Sequence, residues 1–251
     1  MLEAVRYVPI ITTAFAVYFT YVLYLHWKEN PKRYLLWWMI GVALYGLGTL
    51  TEATTTVAGW HSTVFRSWYI AGALLGGAPL AQGTAYLLLK QKTADRISVA
   101  LVGYVAMASA FVILSPIDLT LVEPNRLSGA VLEWQWVRLF SPLANTYALF
   151  MLVGGAAWSA WRYRRKTGRS GPRVTGNWLI AIGALLPGIG GSFTRAGMVE
   201  VLYVTEIVGL SLIYLGYRVI SEDRSPSIHR NQRKVIGPQP APAGSPGGDG
   251  R

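Results

Sequence analysis

Glu52 and Glu206 stand inside long apolar stretches that otherwise carry almost no charge. An ionised carboxylate in hydrocarbon is unfavourable by about 3 kcal/mol, so a residue of this kind is kept for an ion, a proton, a ligand or a buried partner. Each glutamate lies about seven residues from the outer end of its stretch, which at helical rise puts both about 10 Å below the outer surface. Equal depth lets the two serve one site. Helical spacing aligns Tyr45, Gly48, Thr49, Thr55 and Thr56 with Glu52, and Tyr203 and Gly209 with Glu206, giving polar stripes that must turn inward. Arg66 opens the third stretch and Arg195 closes the sixth, so both guanidinium groups sit at the outer rim within reach of the carboxyls. Two chemistries compete for this set. With the arginines paired to the glutamates, the set only ties helix ends together; without that pairing, it forms an outward-facing polar pocket for a cation, a proton or a small polar ligand.

Other chemistries lack their residues. A retinal Schiff base requires a lysine in the last span, and residues 199–220 contain none. Among the histidines only His26 lies near an apolar stretch, which removes bis-histidine haem and three-histidine zinc sites. There is no cysteine, hence no disulfide, thiolate nucleophile or iron–sulfur cluster. No aspartate falls within the apolar stretches as bounded below, and Ser192 after Gly190-Gly191 has no neighbouring base. Gln82, Asn145 and Asn177 read as interhelical hydrogen-bond formers. The expectation is a non-enzymatic protein without cofactor or metal.

These residues must be held by membrane spans. Of 251 residues 52% are hydrophobic and 14% charged, and apolar runs at 4–27, 34–59, 64–89, 97–116, 137–161, 175–196 and 199–220 each approach the roughly 20 residues that cross a bilayer. The sequence predicts an all-α integral membrane protein, a seven-transmembrane-helix bundle over 1–220. Lys and Arg gather in alternate connections, at Lys28, Lys32 and Arg33, at Lys90, Lys92 and Arg96, from Arg162 to Arg173, and from Arg218 onward. The opposite side holds Arg6, Arg66, Arg126, Arg138 and Arg195, so the expected topology has the N-terminus outside and the C-terminus cytoplasmic, in the plasma membrane. The net charge of +11 is read as topology and contact with anionic lipids, not as nucleic-acid binding. The first stretch is too long for a cleavable signal and reads as an anchor. Pro79 and Pro187 predict kinks in spans three and six, and glycines such as Gly72, Gly76, Gly183 and Gly190 predict close packing seams. The outer connection 117–136, with Trp134 and Trp136, predicts an interfacial helix or a tryptophan-anchored loop. Residues 221–251, rich in Pro and Gly, predict a disordered basic cytoplasmic tail.

The run Tyr34-Leu35-Leu36-Trp37-Trp38 with Gly41, the pair Glu52-Ala53, and Gly176-Asn177-Trp178-Leu179 leading to Gly183-Ala184-Leu185-Leu186-Pro187 give the chain a resemblance. Over about residues 5–220 it resembles the seven-helix sensory module of bacterial membrane histidine kinases. That resemblance implies a sensor or receptor-like bundle; residues 221–251 carry no phospho-acceptor helix or nucleotide site, so the signal is expected to pass to a separate membrane or cytoplasmic partner. A small proton- or cation-coupled transporter using the same carboxylates is the alternative, and a lipid-modifying enzyme comes third.

Overall fold

The computed structural model describes residues 2–124, 126–168, 171–194 and 197–223. Apart from two isolated antiparallel bridges, regular structure among these residues is helical. A short α1 (Leu2–Val5) precedes α2 (Val8–Glu29), which starts on Pro9 within its first turn, where a missing N–H does no harm. After the Asn30-Pro31 break, α3 (Arg33–Ala58) ends at Gly59, whose positive φ of 80° few other residues adopt. Then come α4 (Ser62–Trp68) and α5 (Ala78–Leu88), followed by α6 (Gln91–Leu114). A fifth apolar stretch, Gln135–Thr167, contains α7 (Phe140–Ala148) and α8 (Gly155–Thr167), and α9 (Pro172–Thr194) and α10 (Val199–Ser221) complete the bundle.

Six of these helical stretches are long and apolar enough to cross a bilayer. Their outward surface is itself apolar: Val99 is 75% exposed and Phe150 69%. A water-facing helix would carry polar residues there, so the chain is a multi-pass membrane protein.

The third apolar stretch, expected as one helix over 64–89, is broken. Residues Tyr69–Leu74 form a π-helix, and the N–H groups of Leu75 and Gly76 bond five residues back, to Ile70 and Ala71 (3.0 and 3.2 Å). Pro79 lacks the N–H that would continue the ladder, so α5 restarts beside it. Asn145 then donates to the Ala73 carbonyl (3.3 Å). Pro187, by contrast, sits inside an unbroken α9, its ring packed against Gly209. A second π-helix, Leu149–Gly154, links α7 to α8 and was not foreseen.

Three expectations change in detail. Helix α6 begins at Gln91 and not at 97, so Asp95 lies within a helix that is long enough to span, and the exclusion of aspartates fails. Of the two readings of the connection 117–136, the loop is the one that forms and not a single helix. It folds through 3-10 turns at Leu119–Leu121, Gly129–Val131 and Gln135–Leu139, and buries Val131, Leu132 and Val137 against Phe65, Tyr69 and Val112. Its hydrophobic residues are too unevenly spaced for one helical face, and burial under the loop satisfies them instead. The tail boundary also moves: α10 reaches Ser221, and Asp223 pairs with Arg173 at 2.8 Å. Residues 224–251 lie outside the described part.

The main core joins α2, α3, α5, α9 and α10 through Phe19, Leu23, Val42, Leu80, Ile180, Leu210 and Ile213. Helices α9 and α10 meet backbone to backbone. A Cβ on Gly183 would stand 2.6 Å from the Gly209 carbonyl oxygen, and one on Gly209 2.6 Å from that of Gly183. This seam fixes the position of Glu206, one turn away on α10.

Candidate functional site

Glu52 comes from the middle of the C-terminal half of α3, and it is only 5% exposed. Its Oε1 accepts a hydrogen bond from the indole Nε1 of Trp68 (2.9 Å). Trp68 is the last residue of α4, where the π-helix begins. Glu206 descends from α10, and the two carboxyl groups lie within hydrogen-bonding reach of each other. The Oε2 atoms of both glutamates are buried without a hydrogen-bond partner among the described residues. Two carboxylates offer only acceptors, so no hydrogen bond joins them until a proton is added. A cation between them would serve the same purpose.

Arg66, one of the two expected partners, does not neutralise the pair. Arg66 turns away and caps the end of α6, donating to the carbonyls of Val112 (2.8 Å), Ile113 and Ser115 (3.1 Å). Those carbonyls lack helical donors of their own, and the bulky cation satisfies them better than a side chain buried two turns down. Arg195 lies outside the described residues. Tyr45 donates to the backbone carbonyl of Glu206 (3.1 Å), so it positions α10 and leaves the carboxyl alone. Thr49 bonds Thr13 of α2 (2.9 Å) and the Gly46 carbonyl (3.1 Å), a helix-tying role away from the pair. Thr56 shares its hydroxyl between the carbonyls of Glu52 (3.0 Å) and Arg6 (3.3 Å).

Above the pair an open cleft of about 430 Å³ is lined by Arg6, Thr56, Glu123, Arg126, Glu200 and Tyr203, among others. Tyr203, itself 7% exposed, also stands near both buried glutamates, and so separates the cleft from the pair. Arg126 is committed to Glu123 (3.0 Å) and to the Thr194 carbonyl (2.6 Å). At the cleft-side loop, Asp118 accepts from the hydroxyl and amide of Thr120 (2.5 and 2.9 Å), which holds its carboxyl below the usual aspartate range.

No match to the chain emerges among protein-family models, curated proteins or solved structures. The site must be read from its own geometry.

Sequence reasoning missed Trp68, which by the expected start of the third stretch lies about four residues in, against about seven for Glu52, so depth alone gave no match. It also missed a second polar cluster. Arg33 pairs with Asp95, whose Oδ1 accepts from Tyr86 (2.6 Å). Tyr86 meets Ser98 (3.0 Å), Gln82 donates to Ser98 (2.8 Å) and the Ala94 carbonyl (2.9 Å), and Tyr147 donates to Gln82 (2.6 Å). Among the described residues no group of three or more His, Cys, Asp and Glu side chains has the spacing of a metal site.

Proposed function

We propose that this chain is a non-enzymatic membrane sensor of seven crossings, with its N-terminus outside and a discontinuous third span, which detects a proton or small cation at the Glu52–Glu206 pair. The observation that supports the reading is the pair itself: two carboxyls meet without a cation among the described residues, with an orphaned oxygen on each, under a cleft open to one side. Such a pair changes its hydrogen bonding when it is occupied. Occupancy alters the Trp68 contact, and Trp68 is joined directly to a π-helix, a backbone arrangement often found at functional positions. A change there is passed to the opposite side and on to a separate partner in the plasma membrane or the cytoplasm. The basic residues of alternate connections support the orientation.

A cation-coupled transporter is the second reading, favoured by the break in the third stretch between α4 and α5. Its weaker side is α9, which runs unbroken through Pro187 and so provides no matching break three spans later. Proteoliposomes carrying an internal pH dye separate the two. The sensor gives no proton or sodium flux under an imposed gradient, while its tryptophan emission responds to the same ions; a flux abolished by Glu52→Gln would replace the sensor with the transporter.

A further inference from the structure

The opposite end of the bundle carries a different kind of site. From Trp134 to Val199 the sequence contains no acidic residue, yet it contains Arg138, Arg162, Arg164, Arg165, Lys166, Arg169, Arg173 and Arg195. Four of these lie on the last turns of α8, and none of Arg162, Arg164, Arg165 and Lys166 enters a salt bridge among the described residues. Arg173 differs, being held by Asp223 (2.8 Å).

The buried face of α8 is small, with Gly155, Ala156 and Ala160 against its neighbours. Its outward face presents Trp158 and Trp161, 54% and 41% exposed, with ring centroids 4.9 Å apart. The guanidinium of Arg165 lies 4.2 Å from the centre of the Trp161 ring. Trp161, Arg164, Arg165 and Gly168 line a surface groove of about 500 Å³. By helical rise Trp161 lies about 9 Å from the end of α8, the depth at which an indole meets the boundary between headgroup and acyl chain. Apolar rings below and cations above reproduce the layering of a phospholipid. The helix C-terminus opposes an anion with about half a charge, and the three cations of the last turn outweigh it.

We propose that this groove binds the phosphate headgroup of an acidic phospholipid between Arg164 and Arg165, with an acyl chain along Trp158 and Trp161. The site does not depend on the glutamate pair. It also goes beyond the diffuse attraction of basic loops to a negative leaflet, because it requires particular side chains at one helix end.

The test uses the full chain in phosphatidylcholine nanodiscs that contain a small fraction of brominated phosphatidylglycerol or, in parallel, brominated phosphatidylcholine. Tryptophan quenching should saturate with brominated phosphatidylglycerol at a fraction where brominated phosphatidylcholine quenches little. Each arginine removed should weaken the preference about fivefold, so R164Q/R165Q nearly abolishes it, while K92Q/R96Q, altering another basic connection, leaves it intact. Equal quenching by the two lipids in the unmodified protein would overturn the proposal without reference to any variant. So would a preference that survives R164Q/R165Q in folded protein, or one lost equally in K92Q/R96Q, which would mark general basic attraction. Inorganic phosphate, added at constant ionic strength in place of chloride, should not displace the brominated lipid; displacement would assign the groove to a soluble phosphate instead.

Discussion

Two polar clusters stand out among the described residues, one around the partly exposed Arg33–Asp95 pair and one around the buried Glu52, and they are built on opposite terms. Around Asp95 every charge has its complement: Arg33 faces the carboxylate, Tyr86 donates to it, and Ser98, Gln82 and Tyr147 pass hydrogen bonds inward from α6 to α5 and α7. Around Glu52 two acids meet with one indole donor and two orphaned oxygens. A satisfied network rigidifies the fold, whereas buried carboxyls left without partners are costly groups that a membrane protein keeps for function. The first cluster is therefore read as structural, and the second is the one for which a response is proposed.

Substitutions test that contrast. The largest effect is expected at the seam that holds Glu206 in place: Gly209→Val drives a side chain into the Gly183 carbonyl, and should cost about 3 kcal/mol in detergent thermal unfolding and remove the response with it. Gln82→Leu orphans the Tyr147 hydroxyl and should cost about 1–2 kcal/mol by the same measurement, without touching the response. Glu52→Gln and Glu206→Gln should reverse that pattern. Each removes a charge that has no counter-ion among the described residues, so unfolding should shift by under about 1 kcal/mol, in either case toward stability, while the response to ions disappears. A loss of several kcal/mol in either variant would make the Glu52 cluster structural as well.

Topology enters as a labelling result of its own. The chain has no native cysteine, so Ser62→Cys should react with an impermeant thiol reagent added outside and Ser221→Cys should not. The reverse pattern would turn the cleft inward. The smallest effect is expected at Asp118, an exposed carboxylate with complete local bonding. Its folded-state pKa is depressed, so its contribution is present above the ordinary value of 3.8 and fades as pH falls through the lower folded value. Asp118→Asn should slightly destabilise at neutral pH, and the difference from the unmodified protein should vanish in acid.

Much of this was legible before the fold. Apolar run length gave four of the six long helices to within about four residues at each end, because bilayer thickness sets a length that composition must meet, while α6 starts six residues earlier and the stretch Gln135–Thr167 ends six residues later than expected. The shared depth of Glu52 and Glu206 followed from counting residues at helical rise. What escaped was three-dimensional compensation. That Arg66 would cap α6, not neutralise Glu52, depends on where α6 ends relative to α4, which spacing along one helix does not contain. Pro79 and Pro187 look alike in sequence, yet only the first accompanies a break, since Gly76 and Asn145 support the opened backbone there while Gly209 leaves room for the Pro187 ring. Asp95 was placed outside its helix because a charged first turn reads as loop when no partner is visible, and its partner Arg33 is 62 residues away in the chain.

The central claim is that the Glu52–Glu206 pair changes state when it takes up a proton or cation, and Trp68 reports on it from 2.9 Å. The decisive measurement is the emission of Trp68, taken as the difference between the unmodified protein and Trp68→Phe, in nanodiscs titrated with acid and separately with sodium. The account predicts a saturable change with at least one of these ions, absent in both Glu52→Gln and Glu206→Gln while the rest of the tryptophan spectrum and the thermal unfolding stay as before. An emission indifferent to both ions, or a change that persists in both glutamine variants, would contradict it.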